Sequence, residues 1–271
     1  MKPVTYNPVF VTLFLIGVLV IASYSVAKTI MPYQPYSFDW VFVRTLMVLV
    51  LFSIIIDVKK EKISLALLGF PKKYSKPTVL IGSFITGTVS LGLLLSVKFF
   101  LGAASFDISH SFSRALKTII FNIPLAFFIA FYEEIMFRGF LLFQFRKYLT
   151  DKSAVCLSAF IFATPHFFRP VESELVVVSF ISYFTIGCLL GWIYLRSGDL
   201  YRPWGLHAGW VFFMKFDNLF IDHIDKTPRW VYGDDQYVSC LIALPMLFIL
   251  FWYFNKQFDW DGLLPHLRRW E

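Results

Sequence analysis

The chain has 271 residues, of which 58% are hydrophobic, 20% aromatic and only 16% charged. This composition, with a mean hydropathy of +0.66, excludes an ordinary soluble domain and indicates a membrane protein. The net charge of +7 does not indicate a nucleic-acid partner, because the Lys and Arg residues fall in short loops between apolar runs, where they act as topology signals. We therefore predict one integral membrane domain over residues 1–271, in contact with the lipid bilayer.

Eight membrane-spanning helices are predicted, approximately over residues 9–28, 40–56, 77–100, 116–145, 153–168, 175–195, 200–216 and 237–254. The expected fold is all-α and polytopic, with about eight transmembrane helices enclosing a polar intramembrane cavity. The first run exceeds the usual length of the apolar region of a signal peptide, which favours a retained helix. The fifth and seventh segments are short for a full crossing, so we expect either to be tilted, partly re-entrant or shielded by neighbours.

The loop charges predict the orientation. With the N-terminus in the cytoplasm, the basic residues of segment 59–76 and those after the fourth, sixth and eighth spans all lie inside, whereas the outer loops mix fewer basic residues with several acids. The positive-inside rule then predicts that both termini are cytoplasmic. The three cysteines each lie in an apolar segment, and their odd number argues against a structural disulfide framework. They are Cys156, Cys188 and Cys240.

Two adjacent glutamates, Glu133 and Glu134, lie in the otherwise apolar fourth span. A charged side chain near the bilayer centre costs about 2.5 to 3.5 kcal/mol on insertion scales, so such residues indicate a functional site. Arg138 follows Glu134 at i+4 and is expected to hold it ionised, whereas Glu133 points about 100° away and has no local cation. Glu133 is therefore the candidate general base. The alternative is a structural ion pair plus one protonated glutamate that locks helices together.

Two histidines in later spans are the other candidate site residues. His166 comes near the end of the fifth span, directly after Pro165, which is expected to bend the helix and free backbone carbonyls. His207 opens the seventh span among small residues that allow close helix packing, which would bring it towards the fourth helix. Each also has a plain structural interpretation: His166 as a hydrogen-bonded core or interfacial histidine, and His207 as an incidental member of a packing seam.

One glutamate and two histidines from three spans could activate a water for attack on a carbonyl, or bind a divalent metal such as zinc that does so. Both arrangements give hydrolysis. The sequence has neither the His-Glu-x2-His spacing of zinc proteases nor the Gly-x-Ser-x-Gly motif of serine hydrolases. At this point the cofactor is unknown.

Three motifs occur in order within apolar helices: Glu133-Glu134-x3-Arg138, Phe162-x3-His166, and His207. This set resembles the CAAX protease and bacteriocin-processing family, also called CPBP or Abi. The resemblance implies an intramembrane endopeptidase that cleaves a membrane-associated peptide or protein, here in a bacterial inner (cell) membrane. It implies that Glu133 activates water with help from His166 and that His207 helps to hold the oxyanion. Glu134 and Arg138 take the remaining first-motif positions as a supporting ion pair. Members are described both as glutamate-dependent and as metalloproteases, so the resemblance leaves the metal open.

One position departs from the family pattern. Val211 stands four residues after His207, where the family commonly has Asn or Asp. An oxyanion donor is therefore missing or is supplied by another group, such as the Trp210 indole or a backbone amide. This departure keeps open a non-catalytic member of the same fold, acting in bacteriocin immunity or as a scaffold. A transporter or channel is a third alternative, which the lack of a visible repeat and the clustering of charges in one span disfavour.

The predicted topology also poses a problem of depth. It puts His166 towards the outer end of its helix and His207 towards the inner end of its own, so full crossings would separate them. A single site requires that Glu133, His166 and His207 surround one cavity. One of the two short helices must then be displaced in depth, or a predicted boundary must be wrong.

Overall fold

The computed structural model describes residues 68–70, 77–106, 112–164, 166, 173–217, 220–233 and 238–257. Its helices are α1 (Pro77–Phe100), α2 (Phe112–Glu134), α3 (Phe143–Arg146), α4 (Asp151–Ala163), α5 (Val176–Ser197), α6 (Tyr201–Asp217), α7 (Arg229–Tyr232) and α8 (Ala243–Gln257). A π-helix over Ile135–Leu142 joins α2 to α3, so one helical run extends from residue 112 to residue 146. Each predicted span from residue 77 onwards overlaps one of these helices or runs, although the predicted ends at residues 168 and 237 lie outside them. The predicted spans 9–28 and 40–56 lie outside the described residues.

Three helical segments are long and apolar enough to cross a membrane: Pro77–Phe100, Ala115–Arg146 and Val176–Ser197. In addition, α1 exposes an apolar side chain at every fourth position, which makes one stripe along a single face of the helix. The stripe consists of Ile81, Ile85, Val89, Leu93 and Val97. An exposed apolar surface of this kind is typical of contact with lipid.

The fifth predicted span is shorter than expected. α4 has 13 residues and is therefore about 20 Å long, which is less than a full crossing. Thr150 caps its first turn by accepting a hydrogen bond from the amide of Ser153. The helix ends at Ala163, two residues before Pro165 in the sequence, in keeping with the restriction that a proline places on the preceding residue.

The all-α prediction omits a small β-ribbon. β1 (Ala104–Phe106) follows α1 and pairs antiparallel with β2 (Ile221–His223), which follows α6. Strands of three residues are too short to give a readable alternating pattern in the sequence. Because the two strands continue α1 and α6, the ribbon ties together the ends of two helices that also pack along their length.

α1 and α6 pack closely through glycines. A Cβ on Gly209 would lie 2.3 Å from the carbonyl oxygen of Phe84, and a Cβ on Gly87 would lie 2.2 Å from the carbonyl oxygen of Leu206. Only glycine lets two backbones approach so closely. The small-residue seam predicted around His207 therefore exists, but it faces α1. His207 lies on the other side of α6 and faces α2.

α4 and α5 also approach each other through small residues. A Cβ on Gly187 would lie 2.8 Å from the Cα of Ala159, and a Cβ on Gly191 would lie 3.3 Å from a methyl group of Val155. These pairs run in opposite directions along the two helices, so α4 and α5 are antiparallel. The close approach fixes where α5 meets the polar cluster described below.

The turn before α6 is anchored by a buried acid. The Asp199 carboxylate accepts a hydrogen bond from the amide of Arg202 and forms an ion pair with its guanidinium. Burial raises the pKa of the Asp199 carboxyl, and Arg202 opposes that rise. The amide of Leu200 donates to the carbonyl oxygen of Gly69 at 2.8 Å, which holds segment 68–70 against the start of α6.

Candidate active site

Glu134 and Arg138 form a buried ion pair. Nη1 of Arg138 lies 2.8 Å from Oε1 of Glu134, and the two side chains are 1% and 0% exposed. Nη2 of Arg138 donates to the carbonyl oxygen of Gly187 at 3.3 Å, and its guanidinium carbon lies 4.5 Å from the centre of the Phe162 ring. The i,i+4 spacing predicts the pair itself. The anchors on α4 and α5 come from the tertiary fold.

His207 is a second partner of Glu134. Its Nδ1 lies 2.8 Å from the same carboxylate oxygen that Arg138 binds. Because an ionised carboxylate only accepts hydrogen bonds, Nδ1 is the nitrogen that donates. The other oxygen, Oε2 of Glu134, is buried and makes no hydrogen bond to any described residue. Glu134 therefore connects the arginine of the π-helix to the histidine of α6.

Glu133 faces the same imidazole from another direction. Its Oε2 lies 3.7 Å from Nε2 of His207, and its side chain is 19% exposed, unlike that of Glu134. Adjacent helical positions point about 100° apart, yet the two nitrogens of one imidazole reach both carboxylates. Because the two glutamates are adjacent on the helix, their side chains point into different environments. The tertiary fold then places His207 near both carboxylates.

His166 contacts the last turn of α4. Its Nδ1 lies 3.0 Å from the carbonyl oxygen of Phe162. A carbonyl oxygen only accepts, so Nδ1 carries the proton and Nε2 carries the lone pair of the neutral ring. The His166 ring also stacks on the ring of Tyr183, with centroids 3.9 Å apart and planes 23° apart.

The Phe162 ring is close to both histidines. Its centroid is 5.2 Å from that of His166 and 6.0 Å from that of His207. The two imidazoles are therefore neighbours of one aromatic ring and do not lie at opposite membrane surfaces. α4 ends at Ala163, five residues before the predicted end of the fifth span at residue 168, so that predicted boundary is wrong.

The indole N–H of Trp210 is used in a hydrogen bond to α1. Its indole Nε1 donates to the hydroxyl of Ser90 on α1 at 2.9 Å, and that hydroxyl donates to the carbonyl oxygen of Gly87 at 2.7 Å. The indole is buried and its single donor is used within this chain of hydrogen bonds. The suggestion that Trp210 replaces the polar residue absent at Val211 therefore has no support in this arrangement.

A catalytic zinc ion takes three protein ligands. Within the described ranges, no three His, Cys, Asp or Glu side chains lie close enough together to hold one. Both histidines do have the second-sphere contact that metal ligands commonly have, namely an Nδ1 that donates to a carboxylate or a carbonyl. The described side chains therefore do not form a three-ligand set.

Sequence reasoning missed two residues that contact the site. Tyr183 and Gly187 lie four residues apart on α5; one stacks on His166 and the other accepts a hydrogen bond from Arg138. No motif or charge marks either residue. Phe162 is part of a quoted motif, but nothing in the motif indicates that its ring is close to both histidines.

Comparison with known proteins agrees with the motif residues. Residues 115–213 match the sequence model of the Rce1-like type II CAAX prenyl endopeptidase family. The matched region contains all five candidate site residues, as well as Tyr183 and Gly187. No curated protein and no solved structure matches the chain. The match agrees with the resemblance inferred from the motifs: residues 115–213 of this integral membrane protein are similar to the Rce1-like type II CAAX prenyl endopeptidase family.

Proposed function

We propose that the protein is an intramembrane endopeptidase of the CPBP type, which hydrolyses a peptide bond of a membrane-associated substrate with a water activated by Glu133 and His166. The observation that carries the proposal is the position of His207, which lies between two carboxylates with a buried arginine behind them. Such a cluster is costly to bury, and a family of membrane endopeptidases has residues of these types in this order.

Glu133 is the proposed general base. It is the more exposed of the two glutamates, so it is the one that a water and a substrate can reach. As the water oxygen attacks the scissile carbonyl carbon, Glu133 takes one water proton. The same proton then passes to the leaving amine nitrogen as the carbon–nitrogen bond breaks. His166, whose Nε2 is an acceptor, binds the same water and orients it.

His207 is the proposed oxyanion donor. To donate from Nε2 while Nδ1 donates to Glu134, the ring must carry a proton on both nitrogens. In that form the positive charges of His207 and Arg138 balance the negative charges of the two glutamates. The ion pair of Glu134 with Arg138 thus keeps a carboxylate fixed behind His207, as an orienting group that does not touch the substrate.

The first experiment is a cleavage assay with matched glutamate variants. Purified protein in liposomes is given a prenylated CAAX peptide or the same peptide without the lipid, and products are identified by mass spectrometry. Because a general base contributes about 10²- to 10⁴-fold, Glu133→Gln should lower the rate by that factor. Glu174→Gln changes an exposed glutamate and should leave the rate unchanged. Cleavage by Glu133→Gln at the wild-type rate would refute the proposal.

The same assay decides whether a metal takes part. In the proposed mechanism, chelator treatment leaves the rate unchanged and metal analysis of active protein gives less than one equivalent. Activity that is lost on chelation and restored by Zn²⁺ would replace the glutamate-activated water with a metal-bound one.

We also propose a bacterial cell membrane as the location, with both termini in the cytoplasm. The described basic residues around the ends of α3 and α5 and the starts of α4 and α6 support this orientation through the positive-inside rule. They are Arg146, Lys147, Lys152, Arg196 and Arg202. Labelling of single cysteines at positions 152 and 226 with a membrane-impermeant reagent tests it: in intact cells only position 226 should react.

A non-catalytic role in bacteriocin immunity or as a scaffold is the second candidate. Val211 favours it, since the polar residue of the family is absent there and the neighbouring Trp210 donor is used by Ser90. In that case Glu133→Gln would keep full function in cells, and no substrate would be cleaved by the wild-type protein.

A further inference from the structure

α5 contributes none of the motif residues, yet it contacts both halves of the proposed site. Tyr183 stacks on His166, and the carbonyl of Gly187, one helical turn later, accepts a hydrogen bond from Arg138. Residues four apart lie on one face of a helix. The same face of α5 therefore touches the second-motif histidine and the first-motif ion pair.

We propose that Tyr183 is a positioning residue for His166, acting through its ring. The inference rests on the proposed function, since it concerns the orientation of the imidazole that binds the attacking water. His166 lies beyond Ala163, the last residue of α4. The Nδ1 contact with Phe162 fixes one edge of the ring, and the stack on Tyr183 fixes its plane. Together they define the direction of Nε2.

A role in packing alone predicts a different result from a role in positioning. Tyr183→Phe keeps the stacked ring and removes only the hydroxyl, whereas Tyr183→Leu keeps an apolar side chain and removes the stack. Because a displacement of about 1 Å in a catalytic group can cost about 10²-fold, we expect Tyr183→Leu to lower kcat by about 10- to 100-fold with KM unchanged. Tyr183→Phe should stay within about threefold of the wild-type kcat, since the stack that orients His166 remains.

Phe180→Leu is the matched control. Phe180 lies nearly one turn earlier on α5, where it packs against Phe160 of α4 and Phe184 of α5. Its replacement removes an aromatic ring from the same helix pair, so thermal unfolding should show a loss of stability similar to that of Tyr183→Leu. Its kcat should stay at the wild-type value. A fall in kcat that follows the loss of stability equally in both variants would overturn the positioning role.

A second readout needs no cleavage. The ring current of a stacked tyrosine shifts the nuclear magnetic resonance of the imidazole Cε1–H group, which can be observed with histidine labelling and assigned through His166→Gln. The shift should be present in the wild type and in Tyr183→Phe and absent in Tyr183→Leu. Its absence from the wild type would overturn the proposal. If Glu133→Gln lowers the cleavage rate and Tyr183→Leu does not, the positioning role of Tyr183 is rejected but the proposed function stands. If the wild type cleaves no faster than Glu133→Gln, the proposed function itself is rejected.

Discussion

Replacing Arg138 with methionine should destabilise the protein strongly. Arg138 is 1% exposed and its partner Glu134 is 0% exposed, so truncation leaves a carboxylate buried without its cation. One oxygen of that carboxylate would retain only His207 as a partner, and the other has none among the described residues. Breaking a buried pair by removing one member costs about 3 to 5 kcal/mol. For a chain of this size, that corresponds to a fall in the melting temperature of roughly 6 to 20 °C.

The assay is thermal unfolding of purified protein in detergent, followed by far-ultraviolet circular dichroism. Arg146→Met is the control, because Arg146 pairs with a half-exposed acid, Asp151, and an exposed pair is worth at most about 1 kcal/mol. The double variant Arg138→Met/Glu134→Gln should be more stable than Arg138→Met alone, since no uncompensated charge is then buried. A melting temperature for Arg138→Met no lower than that of Arg146→Met would refute the reasoning.

Three further predictions concern stability. The pKa of the Asp199 carboxyl is raised in the folded state, so the folded state binds more protons than the unfolded state does. The stability that this group contributes is therefore lost as pH rises from about 4 through the folded-state pKa. Melting curves from pH 4 to 8 should show that Asp199→Asn gains stability relative to the wild type as pH rises, with Asp151→Asn as an exposed control. Gly209→Ala places a Cβ 2.3 Å from a backbone oxygen and should cost about 1 to 3 kcal/mol in thermal unfolding, whereas Gly82→Ala, which meets open space, should not destabilise. Ser158→Ala removes a buried hydrogen bond to a carbonyl of the π-helix and should cost about 1 to 3 kcal/mol, with faster amide exchange in that segment as the measured sign. Unchanged exchange would contradict the last expectation.

Much of the helical frame can be read from the sequence, because apolar runs near the length of a bilayer crossing are a strong local signal. The runs after residue 77 all contain helices in the structure. The end of α4 was less readable: apolar residues continue to Phe168, but the regular helix ends at Ala163. The β-ribbon gave no signal, since its pairing joins residues more than a hundred positions apart.

The sequence by itself determined the ion pair of Glu134 and Arg138, since helical geometry alone places residues four apart on one face. The order of the motif residues also predicted the similarity to the Rce1-like family over residues 115–213. Only the tertiary structure decided that His207 lies between the two glutamates, although it is 73 residues from Glu134 along the chain, and that Tyr183 stacks on His166. These contacts depend on how closely helices approach at Gly87, Gly187 and Gly209, and on where a short helix ends. Such distances between backbones are properties of packing and leave no periodic signal in any single segment.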